Sequence, residues 1–154
     1  MHRIYFLLLT LCLCQWSFAK TFITADRYLD VEKGHFVASP VIVIEGDRIL
    51  SMTGNIERRQ QSDLVINLTG MTLLPGLIDS HVHIEGNQSL HGFEKLGESD
   101  QAALLSGVSN ARDMLVAGIT TIRNLGSRTY GDIALRDAIN DGIIVGPRIF
   151  AAGP

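Results

Sequence analysis

The stretch Leu74-Pro75-Gly76-Leu77-Ile78-Asp79-Ser80-His81-Val82-His83 decides the fold of this chain. Turn-forming residues flank its apolar run, and the pattern predicts a buried strand over residues 76–84. Side chains alternate faces along a strand, so His81 and His83 share one face with Cα atoms roughly 6.5 Å apart. Imidazoles at that spacing can bind one metal ion. The stretch therefore predicts half of a metal site at the carboxyl end of a strand.

The segment before this stretch, residues 20–74, is β-rich. Gly46-Asp47 separates two apolar runs and predicts a hairpin between them. Strands are predicted at residues 21–25, 41–45, 48–52 and 64–68, and a solvated loop at residues 58–63. We predict a small β-sandwich segment over residues 20–74.

From Pro75 the sequence alternates between strand and helix patterns. After the histidine strand and a polar loop over residues 85–100, the pattern predicts helices at 101–117 and 131–140 and strands at 119–123 and 148–152. Ser99 or Asp100 is the expected N-cap of the first helix, and Gly118 its stop signal. Strands that alternate with helices pair in parallel through right-handed crossovers. The sequence predicts an α/β fold for residues 75–154.

These motifs resemble the metal-dependent amidohydrolase superfamily, in particular its imidazolonepropionase-like and prolidase-like (Xaa-Pro dipeptidase-like) members. Residues 74–83 look like the first barrel strand of that family, and residues 117–126 look like the second. Residues 135–140 with Gly146-Pro147-Arg148 look like the next helix and third strand, and residues 20–74 resemble the N-terminal sandwich segment. The resemblance implies the start of a metal-dependent TIM-barrel hydrolase, a (β/α)8 barrel, over residues 75–154.

The resemblance also implies a cofactor. His81 and His83 would bind a catalytic divalent metal, with zinc as the expected ion and one or two ions per site. In the family the remaining ligands are a lysine or glutamate on strand four, histidines on strands five and six, and an aspartate on strand eight. Residues 75–154 hold about three of the eight strands, whereas such a barrel needs about 250 residues. We interpret the chain as the N-terminal fragment of a longer enzyme.

Four further residues are candidates for the site, and two of them, Asp79 and His91, have a plainer alternative. Asp79 precedes the histidines on the same face, where it either orients an imidazole or is an ordinary hydrogen-bonded carboxylate. Arg123 and Asn124 end the second barrel strand, and a barrel carries its active site at that end of its strands. The family often has aspartate at the position of Asn124. His91, in the loop, either contacts substrate or is simply solvated. No catalytic acid or base is assigned.

The N-terminus predicts a secretory signal peptide over residues 1–19. Met1-His2-Arg3 is positively charged, residues 4–14 are almost wholly apolar, and Ser17-Phe18-Ala19 suits cleavage after Ala19. The apolar run is shorter than the ~20 residues of a membrane-spanning helix. We expect a secreted or periplasmic protein with no membrane association after cleavage.

Composition narrows the classes of partner. The two cysteines, Cys12 and Cys14, lie in the predicted signal, so no disulfide is expected in the mature chain. Cleavage would remove one arginine and no acid, which changes the formal net charge from −3 to −4. The sequence shows no basic patch or run of charge, so nucleic acid is not an expected partner.

The expected function is hydrolysis of carbon–nitrogen bonds, of amide or peptide type, in small substrates. Dipeptides or cyclic amides are the favoured class, although deamination and lactone cleavage use the same chemistry. The fragment alone should be inactive, because two imidazoles are too few ligands for a catalytic zinc ion. The parent enzyme is compatible with an oligomer. The alternative is a complete, noncatalytic, secreted α/β binding module.

Overall fold

The computed structural model describes residues 19–154, which divide into two compact units between Leu74 and Pro75. The division coincides with the change from β-rich to alternating sequence. The predicted signal peptide lies outside the described residues, apart from Ala19. None of the helices between residues 19 and 154 has both the length and the apolar character needed to cross a membrane.

The first unit is a single five-stranded sheet. Its strands are β1 (Lys20–Asp30), β2 (His35–Ala38), β3 (Val41–Glu45), β4 (Arg48–Ser51) and β5 (Leu64–Leu73), with a 3-10 turn at Ile56–Arg58. The long β1 is central: its first half pairs with β3 and its second half with β2, both antiparallel, and β5 pairs with it in parallel. A sandwich requires two sheets, and residues 19–74 form one, so these residues by themselves do not complete the predicted sandwich.

Local sequence accounts for most of this sheet. The predicted hairpin is confirmed: Glu45 pairs with Arg48 across Gly46-Asp47, and Gly46 has a φ of 58°, which favours glycine. Two strands extend well beyond their predicted ends, because β1 and β5 continue together as far as the Tyr28–Leu73 pair. The sequence analysis missed β2, a short and mostly exposed strand.

The second unit is a three-stranded parallel sheet with the order β6–β7–β8. Its elements are β6 (Leu77–Val82), α1 (Asp100–Val116), β7 (Ile119–Asn124), α2 (Gly131–Asn140) and β8 (Arg148–Phe150). This order confirms the predicted α/β alternation. The Ser99 hydroxyl accepts a hydrogen bond from the amide of Ala102 at 3.2 Å, and Gly118 ends the first helix with a φ of 90°.

The core of the second unit lies between its sheet and its two helices. Its central side chains are at most 5% exposed, namely Ile84, Ala111, Ile122, Leu135 and Ile149. Ile122 and Ile149 are paired on neighbouring strands, so one face of the sheet supplies the apolar side chains that the helices cover. This packing holds the carboxyl ends of the three strands at one edge, where the histidines lie.

Two expectations for this unit are corrected. The strand predicted to be buried over residues 76–84 is shorter, Leu77–Val82, and largely exposed: Leu77 is 55% and Ile78 is 73% accessible. An apolar strand is buried only where other elements cover it, and within residues 19–154 the only strand beside β6 is β7. The loop predicted over residues 85–100 also contains a 3-10 helix, Gly92–Gly97.

Candidate metal and substrate site

The two histidines of the predicted site lie side by side at the carboxyl end of β6. Their ring centres are 5.8 Å apart and their planes are inclined by 72°. His81 is within the strand and His83 follows its last residue, Val82. Both side chains are exposed, so solutes can reach the ring nitrogens.

This geometry fits a shared metal ion. An ion at about 2.0–2.1 Å from a ring nitrogen lies roughly 3.2 Å from the ring centre, so two rings that share it have centres at most roughly 6.4 Å apart. The observed 5.8 Å is within that limit. Among residues 19–154, no group of three or more His, Cys, Asp and Glu side chains could hold a metal ion. A metal ion shared by His81 and His83 would have two protein ligands from the described residues, whereas catalytic zinc has three or more.

Hydrogen bonds made by backbone groups of residues 81–84 hold both histidines in place. The Asp79 carboxylate accepts a hydrogen bond from the His81 amide at 3.0 Å, so in this structure it orients the backbone of His81. Val82 accepts from the amide of Leu125 at 2.9 Å, and the Ile84 amide donates to the Asn124 side-chain oxygen at 2.8 Å. The residues on both sides of His83 are thus bound to the end of β7.

A pocket of about 490 Å³ opens beside His83. The loop after β6 forms one wall and the loop after β7 forms the other. The polar and charged side chains of its lining include His83, Glu85, Gln88, Lys95, Glu98, Asp100 and Arg128. Pockets at the carboxyl ends of parallel strands are the usual ligand sites of such folds.

Several charged side chains of the pocket have partners within the protein. Arg128 lies 3.6 Å from Asp100, and Glu98 accepts a hydrogen bond from the Asn87 amide at 2.8 Å. Glu85 lies against Gly131 in the first turn of α2, so closely that a β-carbon there would overlap its carboxylate. The positive end of a helix favours such a negative group. The pocket lining is therefore polar and charged.

The structure brings only part of the predicted set together. His83 lines the pocket, and His81 is its neighbour, but Asp79, Arg123 and His91 are not among the lining residues. Arg123 is exposed, and the exposed His91 begins the 3-10 helix, where its amide donates to Glu94 at 3.1 Å. Asn124 is 1% exposed and binds main-chain groups.

The sequence analysis missed the loop residues of the pocket. Lys95, Arg128 and Glu85 have no periodic or motif signal, because they lie in or beside irregular segments. The one usable signal was positional: each lies in the segment that follows a parallel strand. That rule identifies the segments but does not choose among their side chains.

A parallel β/α unit with a histidine pair and a pocket at the carboxyl ends of its strands fits the beginning of a (β/α)8 barrel. The chain belongs to the amidohydrolase family, whose model matches residues 72–154, just over half of the chain. This confirms the family and the fold class that the sequence motifs indicated.

Relatives of known structure and sequence agree with this assignment. The chain is similar to a crystal structure of an Xaa-Pro dipeptidase, with a TM-score of 0.75 and 33% identity over 88% of this chain and 33% of that one. A putative prolidase from Bifidobacterium longum gives a TM-score of 0.71 and 29% identity over 88% of this chain and 30% of that one. Adenine deaminase of Sinorhizobium fredii is 39% identical over 70 residues, which are 45% of this chain and 12% of that protein.

The chain therefore spans 33% of the dipeptidase structure and 12% of the adenine deaminase. The part that the family model matches, residues 72–154, carries the histidine pair and the pocket beside it.

Proposed function

We propose that this chain is the N-terminal part of a metal-dependent hydrolase that cleaves carbon–nitrogen bonds in small amide or dipeptide substrates. The observation that carries the proposal is the His81–His83 pair, with ring centres 5.8 Å apart at the carboxyl end of a parallel strand. The relatives support it, because a dipeptidase and a deaminase both act on carbon–nitrogen bonds.

His81 and His83 would hold a divalent ion, with zinc as the expected metal, through neutral imidazole nitrogens. When bound, such an ion acts as a Lewis acid that polarises a carbonyl and acidifies a water molecule. The chain supplies orientation: main-chain hydrogen bonds on both sides of His83 hold its backbone beside the pocket. Further metal ligands would come from outside residues 19–154.

The pocket supports a substrate that carries a carboxylate. Lys95 and Arg128 bring positive charge to a lining that also holds Glu85, Glu98 and Asp100. A substrate carboxylate would replace Asp100, which lies 3.6 Å from Arg128, as the partner of that guanidinium group. A dipeptide has a carboxylate at its C-terminus. We expect kcat/KM for a dipeptide to exceed that for its C-terminal amide, and we expect Arg128→Ala to remove most of that preference. An equal rate for the two substrates would count against a dipeptide.

Metal analysis after dialysis, with a dipeptidase assay on the same samples, tests the main proposal. In the complete enzyme, His81→Ala or His83→Ala should remove both zinc and turnover, because each change deletes one ligand. His91→Ala is the matched control, since this exposed histidine lies outside the pair and should leave zinc content unchanged. Stoichiometric zinc in the double variant His81→Ala/His83→Ala would refute the ligand assignment.

Two further parts of the proposal have their own tests. Residues 1–154 alone should bind zinc weakly and show no hydrolysis, because two ligands do not complete a catalytic site. Activity in that chain would contradict the fragment interpretation, and a soluble monomer with a sharp melting transition would favour the binding module. We also propose secretion or export to the periplasm. N-terminal sequencing of the exported protein should then begin at Lys20.

A further inference from the structure

A buried polar network joins the carboxyl ends of all three parallel strands. Asp132, in the first turn of α2, is 0% exposed, and Asn124, the last residue of β7, is 1% exposed. The Asn124 side-chain nitrogen donates to an Asp132 carboxylate oxygen at 3.1 Å. The same oxygen accepts from the amides of Ala152 and Gly153, which follow β8, at 3.1 and 3.0 Å. One carboxylate thus binds both β7 and the segment after β8.

The network continues to the histidine strand. The Asn124 oxygen accepts a hydrogen bond from the Ile84 amide at 2.8 Å, while its nitrogen also donates to the carbonyl of Gly126 at 3.0 Å. A side-chain amide has one oxygen that accepts and one nitrogen that donates. Only one of its two flip states therefore satisfies Ile84, Gly126 and Asp132 together, and the Asp132 carboxylate favours that state.

The Ile84 amide belongs to the peptide group that joins His83 to Ile84. Ile84 is held from its other side as well, because its carbonyl accepts a hydrogen bond from the Asn110 side chain at 2.8 Å. Its own side chain is 2% exposed in the core. A shift of Asn124 would therefore act mainly on the exposed residue next to this anchor, which is His83.

We propose that Asp132 is a positioning residue for the histidine site: it fixes the Asn124 amide, which fixes the backbone of His83. The proposal rests on the proposed function for the role of His83 as a metal ligand. A merely structural carboxylate would stabilise the unit as a whole. A positioning carboxylate also has a local effect at residues 83–84 that exceeds its effect on the rest of the core.

Hydrogen exchange at single amides in the protein expressed from its whole gene separates these roles. In Asp132→Ala the Ile84 amide should exchange roughly tenfold faster or more, because its acceptor loses orientation. The amide of Ala111, in the middle of α1 and 0% exposed, should change much less. Asp132→Asn keeps one acceptor oxygen and should restore part of the protection. Asp141→Ala is the matched control, since it removes an exposed carboxylate at the other end of α2.

Zinc affinity is the second measurement. The dissociation constant should rise roughly 10- to 100-fold in Asp132→Ala, as for other groups that orient a ligand, and remain unchanged in Asp141→Ala. If Asp132→Ala does not fold, Asp132→Asn carries the same test with a smaller expected acceleration at Ile84, and Asn124→Ala tests the contact between Asn124 and Ile84 alone. Equal acceleration at Ile84 and Ala111, or unchanged zinc affinity when Ile84 has lost protection, overturns the proposal. Exchange is measured without metal, so a protein that takes up no zinc counts against the proposed function alone.

Discussion

The two units of this chain place their polar groups differently. In the sheet of residues 20–74, the hydrogen bonds that the amides of Lys20 and Gly70 donate to the carboxylates of Asp63 and Asp26 lie at half-buried or exposed positions. The buried polar side chains of the described part, Asn124 and Asp132, both belong to residues 75–154. Burial of a carboxylate is costly unless it is well bonded. The second unit thus encloses its polar groups at the edge that carries the candidate site.

The apolar cores of the two units also differ, because the core of the second unit is more completely buried. The buried apolar residues of the first unit, among them Phe22 and Ile42, are 4–9% exposed, whereas those of the second, among them Ile122 and Leu135, are 0–7% exposed. A thin sheet covers its side chains less completely than a sheet with helices packed on one face. We therefore expect the second unit to be more sensitive to loss of volume and the first to depend more on turns and surface carboxylates.

The largest expected effect is a truncation in the better-covered core. Leu135→Ala should lower the free energy of unfolding by about 2–5 kcal/mol, because the surrounding core cannot fill the cavity. Leu50→Ala is the matched change in the first unit; since Leu50 is 51% exposed, it should cost less than about 1 kcal/mol. Urea denaturation of both variants measures the difference. Equal losses of unfolding free energy in the two variants would contradict the proposed difference between the two cores.

Glycine substitutions should lower the free energy of unfolding by less than Leu135→Ala does. The physical reason should differ between the two units. Gly46 has a positive φ with open space around it, whereas a β-carbon at Gly146 would lie 2.6 Å from the Ile139 side chain and 3.2 Å from Ala111. Gly146→Ala should cost about 1–3 kcal/mol through overpacking, and Gly46→Ala about 1–2 kcal/mol through its backbone conformation.

Asparagine distinguishes these two causes. It tolerates the left-handed conformation, so Gly46→Asn should be less destabilising than Gly46→Ala. It is larger than alanine, so Gly146→Asn should be more destabilising than Gly146→Ala. Thermal melts of the four variants provide the ranking, and the same order at both positions would contradict the assignment of two causes.

The smallest expected effect is a pH dependence in the first unit. Hydrogen bonds from the amides of Lys20 and then Gln60 lower the pKa of Asp63 from its usual value of 3.8. A lowered folded-state pKa contributes stability that is present above pH 3.8 and lost as the pH falls through the folded-state value.

Asp63→Asn should therefore reduce the fall in stability at acid pH, which is the acid limb of the stability curve. The shape of the curve near neutral pH should not change. Asp47→Asn, at an exposed carboxylate of the Gly46-Asp47 turn, is the matched control and should retain the acid limb. Melting temperatures between pH 2.5 and pH 7 measure both. An unchanged loss of stability at low pH in Asp63→Asn would show that Asp63 does not cause this pH dependence.

Much of this fold could be predicted from the sequence because its signals are local. The Ser99 cap, the stop at Gly118 and the turn at Gly46-Asp47 each depend on residues a few positions apart. The nearness of His81 and His83 follows from the two-residue period of a strand. These features, with the family motifs, determined the α/β architecture and the candidate ligands.

Only the tertiary structure decided the role of Asn124, the exposure of β6 and the composition of the pocket. Ile84 and Asn124 are 40 positions apart, and Asp132 and Ala152 are 20 apart, so no periodicity relates them. From its position at the end of a strand, Asn124 was predicted only as a candidate pocket residue, whereas the structure buries it in main-chain contacts. Side chains distant in sequence become partners only when parallel strands bring their carboxyl ends to one edge, since that packing sets which donors must be satisfied away from water.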